Sequence, residues 1–261
     1  MQASMRPRPA VLVTRPAPQA GKQRRLVAEA GAEPFLFPAL EILPPEDPPA
    51  AAAALRALLP KRDLAVFVST NAVAHGLDLV PEAEAWPVCA AVGRRTAAAL
   101  RGRGILRVLV PAQGFTSEAL LALPELQHVA GKRVLIVRGP PGRELLAETL
   151  RARGAEVDYF QAYRRRPPAR PDLEVLARWC RRSPRYVLVS SNETLENLFH
   201  LAPEAMHPCL RRAGLVGPSA RLGPLARRLG FTRPPRIADN ATDEALLRTL
   251  RAWMAEDETT P

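Results

Sequence analysis

The chain has 261 residues, of which 47% are hydrophobic and 24% charged, as is typical of a globular protein with one large or two small domains. No apolar run approaches the roughly 18 residues of a membrane span, and no signal-peptide core follows the basic first ten residues. We therefore expect a cytoplasmic protein that does not contact membranes. Its cysteines, Cys89, Cys180 and Cys209, lie far apart and indicate neither a disulfide framework nor a zinc site.

Arginine supplies 34 of the 37 basic residues and most of the net charge of +11, which is spread along both halves of the chain. Because arginine pairs bidentately with carboxylates and phosphates, an anionic small molecule is one candidate partner and nucleic acid is another. A GC-rich genome that encodes arginine in place of lysine would explain the ratio without any function.

Ten short apolar runs predict the buried strands of parallel sheets, and helix-length segments separate most of them. The predicted strands are 11–15, 33–38, 64–69, 88–92, 107–110, 134–138, 156–163, 186–190, 214–217 and 235–238. The predicted helices include 19–30, 72–79, 94–103, 118–126, 143–153, 173–181, 219–229 and 243–254. The alternation predicts parallel α/β sheets with right-handed crossovers.

Five sequence blocks recur in the same order, each 121 to 126 residues further along the chain. The pairs are 11–15 with 134–138, 31–33 with 154–156, 66–71 with 187–192, 92–93 with 216–217, and 116–121 with 242–247. A shared order at a nearly constant offset indicates an internal duplication of a unit of about 120 residues.

Two proline-rich stretches, 44–49 and 167–171, are the best candidates for linkers, and both fall inside the repeated unit. We therefore expect domains that are shifted relative to the repeats. The expected bounds are 1–38 with 166–261 for one domain, 42–160 for the other, and 36–43 and 160–166 for the crossings. Each domain then holds five strands, which suits a flavodoxin-like sheet, and a cleft between the domains is the default ligand site.

Polar residues and glycines follow the duplicated strands, where ligands of open α/β sheets bind. They are Arg15, Ser69, Thr70, Asn71, Gly93 and Thr116 in the first copy, and Arg138, Ser190, Ser191, Asn192, Gly217 and Thr242 in the second. Helix starts there offer free N–H groups to an anion. The hydroxyl and amide residues are equally suited to plain helix capping, and the two arginines to surface ion pairs.

Motifs for dinucleotide binding, Walker-type nucleotide binding, zinc proteases and the hydrolase nucleophile elbow are absent from the sequence. A catalyst of this kind would act mainly by holding a reactive substrate in shape, with one proton donor. Tyr163 is our candidate donor, since it precedes the basic run 164–166 at the second crossing and its repeat partner is the apolar Leu40. A tyrosine that packs the hinge is the alternative.

Several short motifs have a specific order and spacing along the chain. They are Val-Thr-Arg-Pro at 13–16, Val-Ser-Thr-Asn at 68–71, Ala-Val-Gly-Arg-Arg-Thr-Ala at 91–97, Phe-Thr-Ser-Glu-Ala-Leu at 115–120, Gly-Ala-Glu-Val at 154–157 with Ala-Tyr at 162–163, Val-Ser-Ser-Asn at 189–192, Val-Gly-Pro-Ser at 216–219 and Thr-Asp-Glu-Ala-Leu at 242–246. Together they resemble the uroporphyrinogen-III synthase family over nearly the whole chain. The resemblance implies two α/β domains joined by a two-stranded connector, with the site in the cleft.

The resemblance also implies an enzyme that cyclises the linear tetrapyrrole hydroxymethylbilane, inverts ring D and releases water. Loss of the ring A hydroxyl leaves an azafulvene, ring D attacks it to give a spirocyclic intermediate, and fragmentation and reclosure invert the ring. The substrate is a flexible polycarboxylate, which suits a basic chain. Because spontaneous closure gives the type I isomer, the enzyme must restrain the conformation of its substrate.

By this resemblance, Tyr163 matches the family tyrosine that assists departure of the hydroxyl, and Thr96 matches the threonine of the first Gly-x-x-Thr motif. In the second copy Ala220 stands where many members have threonine, which makes Ser219 the candidate substitute. The implied substrate-binding set is Arg15, Ser69, Thr70, Asn71, Gly93, Thr96, Phe115, Thr116, Ser117, Arg138, Gly139, Ser190, Ser191, Asn192, Gly217, Pro218, Ser219 and Thr242. No metal, cofactor or nucleic acid is implied. We expect a monomer that makes a transient contact with the preceding enzyme of its pathway.

Two alternatives come from other classes of protein. A non-catalytic two-domain module that binds an anionic small molecule would explain why no obvious catalytic centre is present. A nucleic-acid binder would explain the charge, but it predicts a localised basic patch with interleaved aromatic residues, and only 5% of the chain is aromatic.

Overall fold

A computed structural model of the chain describes residues 8–114, 116–142 and 144–259. Within these ranges the strands are β1 (Ala10–Val13), β2 (Glu33–Leu36), β3 (Glu41–Leu43), β4 (Leu64–Phe67), β5 (Val88–Ala91), β6 (Val108–Leu109), β7 (Arg133–Arg138), β8 (Glu156–Gln161), β9 (Arg164–Arg166), β10 (Arg185–Leu188), β11 (Gly214–Gly217) and β12 (Arg236–Ile237). The α-helices in the same ranges are α1 (Gly21–Glu29), α2 (Pro48–Leu58), α3 (Thr70–Leu79), α4 (Arg94–Arg101), α5 (Ser117–Leu121), α6 (Pro124–Gln127), α7 (Leu145–Ala152), α8 (Leu173–Cys180), α9 (Asn192–Leu201), α10 (His207–Arg211), α11 (Leu222–Leu229) and α12 (Asp243–Thr259).

The chain divides into two compact units. The first unit contains the residues up to Glu41 and from Arg166 onward, and the second unit runs from Ile42 to Arg165. Parallel five-stranded sheets form their centres, in the order β2-β1-β10-β11-β12 in the first unit and β8-β7-β4-β5-β6 in the second. The strands β3 and β9 pair as a two-stranded sheet where the chain passes between the units. The predicted fold class, two flavodoxin-like sheets with a two-stranded connector, is confirmed.

The two sequence copies exchange strands between the sheets. The first sheet takes β1 and β2 from the first copy and its other three strands from the second copy. The second sheet takes β7 and β8 from the second copy and its other three strands from the first. Equivalent strands therefore occupy equivalent places in both sheets, and each sheet needs both copies.

All ten predicted strands overlap strands of these two sheets, whereas β3 and β9 have no signal of their own. Both are three residues long and carry charged side chains, so they lack the apolar run that predicts a buried strand. The helix predicted over 118–126 is divided into α5 and α6, because Pro124 starts a new helix.

The stretch 44–49 is only in part the linker that its composition predicts. Pro48 and Pro49 form the first turn of α2, where a missing N–H group breaks no hydrogen bond and the fixed φ of proline is already helical. Asp47 stands before them as the N-cap and accepts a hydrogen bond from the N–H of Ala50 at 2.9 Å. Proline here begins a helix instead of preventing one.

The central strands are apolar along their whole length because helices cover both faces of each sheet. In β1, Leu12 packs on one face with Trp179, and Val13 packs on the other face with Trp253. The buried indole N–H of Trp179 donates to the carbonyl of Ala10 at 3.2 Å, so the ring is satisfied at its polar end too. None of the described helices is long and apolar enough to cross a membrane.

A disulfide joins Cys180, the last residue of α8, to Cys209 in α10, with their Cα atoms 5.7 Å apart. The expectation that no cysteines pair is therefore wrong. Both helices pack on the same face of the first sheet, and this brings the two thiols together across 29 residues of chain. The separation of the two cysteines along the sequence does not show that they lie close together in the fold.

Asp47→Ala should destabilise the protein by about 1 kcal/mol, because the N–H of Ala50 at the start of α2 loses its acceptor. Denaturant unfolding measures the change in the free energy of unfolding. Asp47→Asn is the matched control, since asparagine caps a helix about as well as aspartate. This variant should lower the free energy of unfolding by only roughly 0.3 kcal/mol. Equal losses in both variants would mean that capping is not what Asp47 contributes.

Candidate active site

The second sheet changes direction between its neighbouring strands β4 and β7. From β4 the chain proceeds through β5 to β6, and from β7 it proceeds the other way to β8. Ligands of open parallel sheets bind outside the carboxyl ends of the strands at such a switch point. A pocket of about 240 Å³ lies there, which we name the switch-point pocket. Its lining residues are Val68, Ser117, Ile136, Arg138, Gly139, Pro140, Pro141, Gly142, Leu146, Tyr159, Tyr163 and Arg165.

Tyr163 enters the switch-point pocket from the chain just beyond β8, and only 7% of its surface is exposed. Its hydroxyl oxygen lies 3.4 Å from Oγ of Ser69, at the outer limit of a hydrogen bond. Its ring stacks on the ring of His75, with 5.7 Å between the centroids and 29° between the planes. The phenol is therefore held both at its hydroxyl and at its ring.

Ser69 connects Tyr163 to the start of α3. Its Oγ accepts a hydrogen bond from the N–H of Ala72 at 3.1 Å, so Ser69 is the N-cap of that helix. Because the oxygen accepts there, the hydroxyl hydrogen is available to donate towards Tyr163. Helix capping and contact with the candidate catalytic group are therefore compatible in this one residue.

Gly139 follows β7 and leaves the space that the ring of Tyr163 occupies. A Cβ atom at this position would lie 2.6 Å from Cε2 and 2.7 Å from Oη of Tyr163. The backbone φ of Gly139 is not positive, so glycine is needed for the close approach and not for its conformational freedom.

Arg138, the last residue of β7, is 9% exposed and faces the same pocket. Its Nη1 donates to Oε1 of Glu144 at 3.0 Å, and its Cζ lies 4.7 Å from the centre of the Tyr159 ring. The hydroxyl of Tyr159 donates to the other carboxylate oxygen of Glu144. This hydrogen bond and the one from Arg138 hold the pKa of the Glu144 carboxyl below its usual range, so Glu144 is ionised at neutral pH.

His75, Glu144 and Tyr159 contact the candidate residues although no sequence motif predicts them. Burial lowers the pKa of His75, against the opposing effect of Asp78, so the imidazole that stacks on Tyr163 is neutral at pH 7. Glu144 lies in a loop outside the five repeated blocks. Tyr159 is an exposed aromatic residue within β8, and that exposure is known only from the folded structure.

The first unit carries the duplicated counterpart of Arg138, and its charge is already paired. Nε of Arg15 lies 2.9 Å from Oδ1 of Asp243, whose side chain is 7% exposed. The Nε–H group does not point at that oxygen, so this contact is an ion pair without a hydrogen bond, while Nη2 donates to the carbonyl of Ala241 at 3.2 Å. Gln23 also donates to Oδ1 of Asp243, at 3.2 Å. Of the two roles expected for Arg15, a contact with a ligand or an ion pair, the folded chain contains the ion pair.

The other polar candidates mostly stand at helix starts. The hydroxyls of Ser191, Thr116 and Thr242 each accept a hydrogen bond from the backbone N–H three residues further on. Ser190 and Asn192 have side-chain hydrogen bonds within the first unit. Capping is therefore a role that these residues have in the folded chain whether or not they bind a ligand.

In the second unit, Thr70 and Asn71 are the first two residues of α3. Gly93 immediately precedes α4, and Thr96 is buried in the first turn of that helix. The sequence candidate Phe115 lies outside the described residues.

The second Gly-x-x-Thr position differs from the first in structure as well as in sequence. Gly217 ends β11, and a Cβ atom there would collide with Leu222. The following helix begins only at Leu222, so Pro218 and Ser219 lie in the turn before it. Oγ of Ser219 accepts a hydrogen bond from the N–H of Arg221 at 3.3 Å.

The described residues offer proton donors and positive charge at the switch-point pocket. Within those residues, no group of three His, Cys, Asp or Glu side chains could hold a metal ion. The free thiol of Cys89 is buried in the core, and burial raises its pKa to about 12, so it is protonated at neutral pH. At the switch-point pocket, the phenol of Tyr163 can donate a proton and the guanidinium of Arg138 can bind an anion.

Comparison with known proteins gives consistent matches. Residues 22–248 match the family described as uroporphyrinogen-III synthase HemD. The chain is 39% identical over 246 residues to the uroporphyrinogen-III synthases of Salmonella typhimurium and Escherichia coli, an alignment that covers 92% of this chain and 99% of each relative. The crystal structure of a mutant uroporphyrinogen III synthase from the extremely thermophilic bacterium Thermus thermophilus matches with a TM-score of 0.58 at 20% identity, and covers 97% of this chain and 100% of that one. At that identity the structural likeness concerns the fold.

Gly139→Ala should destabilise the protein by about 1–3 kcal/mol, because the added methyl group displaces the packed ring of Tyr163. Gly142→Ala is a matched control in the same loop, since a Cβ there meets Nη2 of Arg138 at an ordinary 3.6 Å. Denaturant unfolding of both variants measures the difference. Equal stability would mean that the tyrosine ring moves aside without cost.

Asp243→Ala should lower the free energy of unfolding by about 3–5 kcal/mol, because it removes a buried carboxylate that both Arg15 and Gln23 contact and leaves them without that acceptor. Glu144→Ala removes the equivalent partner from Arg138 and should change stability far less, since the Glu144 side chain is 43% exposed and water can take its place. Thermal unfolding of the two variants, side by side, measures the contrast. A loss of the same size in both would contradict this difference between the units.

Proposed function

The chain belongs to the uroporphyrinogen-III synthase family, and from this premise we propose that the switch-point pocket of the second unit is where its reaction is catalysed. The reaction cyclises hydroxymethylbilane to uroporphyrinogen III, inverts ring D and releases water. The alternative of a non-catalytic binding module is not favoured, because the relatives aligned over 92% of the chain are named as synthases.

The observation that carries the proposal is the position of the Tyr163 phenol in the wall of the pocket. In the proposed reaction Tyr163 donates its proton to the hydroxyl group that leaves ring A. The C–O bond breaks, the hydroxyl departs as water with that proton, and a positively charged azafulvenium remains beside the phenolate of Tyr163. The proton that ring D releases as the macrocycle closes restores the phenol, so the enzyme is unchanged after each cycle.

The surroundings of Tyr163 suit a group that gives up a proton and regains it. The hydroxyl of Ser69 can donate to the phenolate oxygen across the 3.4 Å between them. That hydroxyl stands at the N-terminus of α3, where the helix dipole favours negative charge. His75 and Gly139 fix the plane of the ring, so the phenol points in one direction before the substrate arrives.

Positive charge in the pocket wall supports a polycarboxylate substrate. Arg138 and Arg165 both line the pocket, and guanidinium groups bind carboxylates through paired hydrogen bonds. The volume of about 240 Å³ is below the roughly 300–1,000 Å³ of sites that enclose a whole drug-sized ligand, so we assign the pocket to one part of the substrate, the end that loses water. The other residues of the expected binding set are candidates for the remaining parts. Arg15 is the weakest of them because its partner Asp243 is a buried carboxylate, unlike the exposed Glu144 that pairs with Arg138.

The decisive experiment is an isomer assay. Hydroxymethylbilane is generated in situ with and without the protein, the products are oxidised, and type I and type III porphyrins are separated by chromatography. An excess of type III over the protein-free control establishes inversion of ring D. Type I alone, at the uncatalysed rate, would overturn the proposed function.

Tyr163→Phe should lower kcat for formation of the type III isomer about 100-fold or more, the usual contribution of a positioned proton donor, without unfolding the protein. Tyr186→Phe is the matched control, because it removes a tyrosine hydroxyl from the first unit, where the side chain is buried in the core and bonded to Asp257. The isomer assay supplies the rates and thermal unfolding checks the fold. Unchanged kinetics in Tyr163→Phe would remove this residue from the mechanism.

A further inference from the structure

The duplicated arginines Arg15 and Arg138 stand at the ends of equivalent strands, 123 residues apart, but they receive their carboxylates from different places. In the first unit the carboxylate is Asp243, the first residue of α12, and it is buried. The repeat places Ser117, the first residue of α5, at the equivalent position of the second unit. Ser117 has no charge, so it cannot pair with Arg138 as Asp243 pairs with Arg15. Its small side chain also leaves room in the switch-point pocket, which Ser117 and Arg138 both line.

Glu144 supplies the carboxylate in the second unit instead, from the loop between β7 and α7. Unlike Asp243, it is accessible to water, since 43% of its side chain is exposed. Its two oxygens are held by the guanidinium of Arg138 and the hydroxyl of Tyr159, two groups that also line the pocket. The position is thus a built carboxylate site whose present occupant belongs to a surface loop.

The two groups that hold this carboxylate are themselves well fixed. The guanidinium of Arg138 is nearly buried and lies 4.7 Å above the Tyr159 ring, with Arg151 at 5.6 Å from the same ring. The main-chain carbonyl of Arg138 accepts from the N–H of Ala162, which ties β7 to the chain that leads to Tyr163. If Glu144 moves away, the donors stay in place for another carboxylate.

We propose that Glu144 is an internal occupant of the carboxylate site formed by Arg138 and Tyr159, and that a carboxylate of the ligand displaces it on binding. This inference rests on the proposed function, since it takes the switch-point pocket as the place where the polycarboxylate binds. Glu144 then sets the affinity of the pocket by competing with the ligand. Displacement also frees Glu144 from its contact with the pocket wall.

The test is an equilibrium titration of the full-length protein with uroporphyrin III, a fluorescent polycarboxylate that binds without turnover. Glu144→Gln keeps the size of the side chain but removes its charge. If the internal carboxylate occupies the site for about 70–90% of the time, removing it should tighten binding about threefold to tenfold, because apparent affinity scales with the fraction of open sites. Unchanged or weaker binding would overturn the proposal.

Two further variants separate competition at Arg138 from a general effect of charge. Glu148→Gln removes an exposed negative charge one helical turn further on, outside the pocket lining, and should leave the affinity for uroporphyrin III within about twofold of wild type. In an Arg138→Gln background the gain from Glu144→Gln should vanish. A gain that persists there, or an equal gain in Glu148→Gln, would contradict the proposal.

Ser117→Asp tests the same idea in the opposite direction, because it builds the arrangement of Asp243 into the second unit. A carboxylate from the start of α5 should weaken uroporphyrin III binding at least about tenfold, since the ligand then competes with two internal anions. Binding as tight as wild type in a folded variant would count against the inference. The isomer assay reports separately on catalysis, so a protein that makes no type III excess but binds more tightly as Glu144→Gln would overturn the proposed reaction and retain this site.

Discussion

The parallel pairing of β4 with β7 is the interaction on which the candidate site depends. Phe67 and Val137 are register partners, so Ser69 and Gly139, two residues further along each strand, leave the sheet side by side. Both strands are buried on both faces, and a slip by one residue would turn every apolar side chain of a strand to the wrong core. Hydrophobic burial therefore sets the distance between the helix-capping hydroxyl and the glycine that receives the phenol.

The features that can be predicted from the sequence are those that leave a pattern in it, such as a run of apolar residues or a repeated block. Two-sided burial appears as continuous apolar runs, and the duplication appears as a nearly constant offset, so the strands of both large sheets follow from pattern alone. The two-stranded connector is expected only from the family resemblance, because β3 and β9 carry no pattern of their own. Tyr163 could be proposed because polarity differs between the copies at one position. The roles of His75 and Glu144, like the pairing of Cys180 with Cys209, depend on which side chains the fold brings together, and no spacing along the chain records that.

The duplication has produced two units with one geometry and different uses of it. A buried carboxylate neutralises the arginine at the switch point of the first unit, and this contributes to the stability of that unit. At the same point of the second unit a serine, a glycine and a tyrosine leave a pocket instead. The Gly-x-x-Thr positions have diverged in the same way, because the helix starts directly after the glycine in one copy and several residues later in the other.

The exchange of strands between the copies has a consequence for the origin of the chain. One copy alone supplies two strands to one sheet and three to the other, so a protein of half this length would complete neither. Two such half-length proteins would complete both sheets by trading their strands, which is the architecture of a domain-swapped homodimer. The present chain is in that sense equivalent to a domain-swapped dimer joined into one molecule, so that folding within one chain takes the place of association between two.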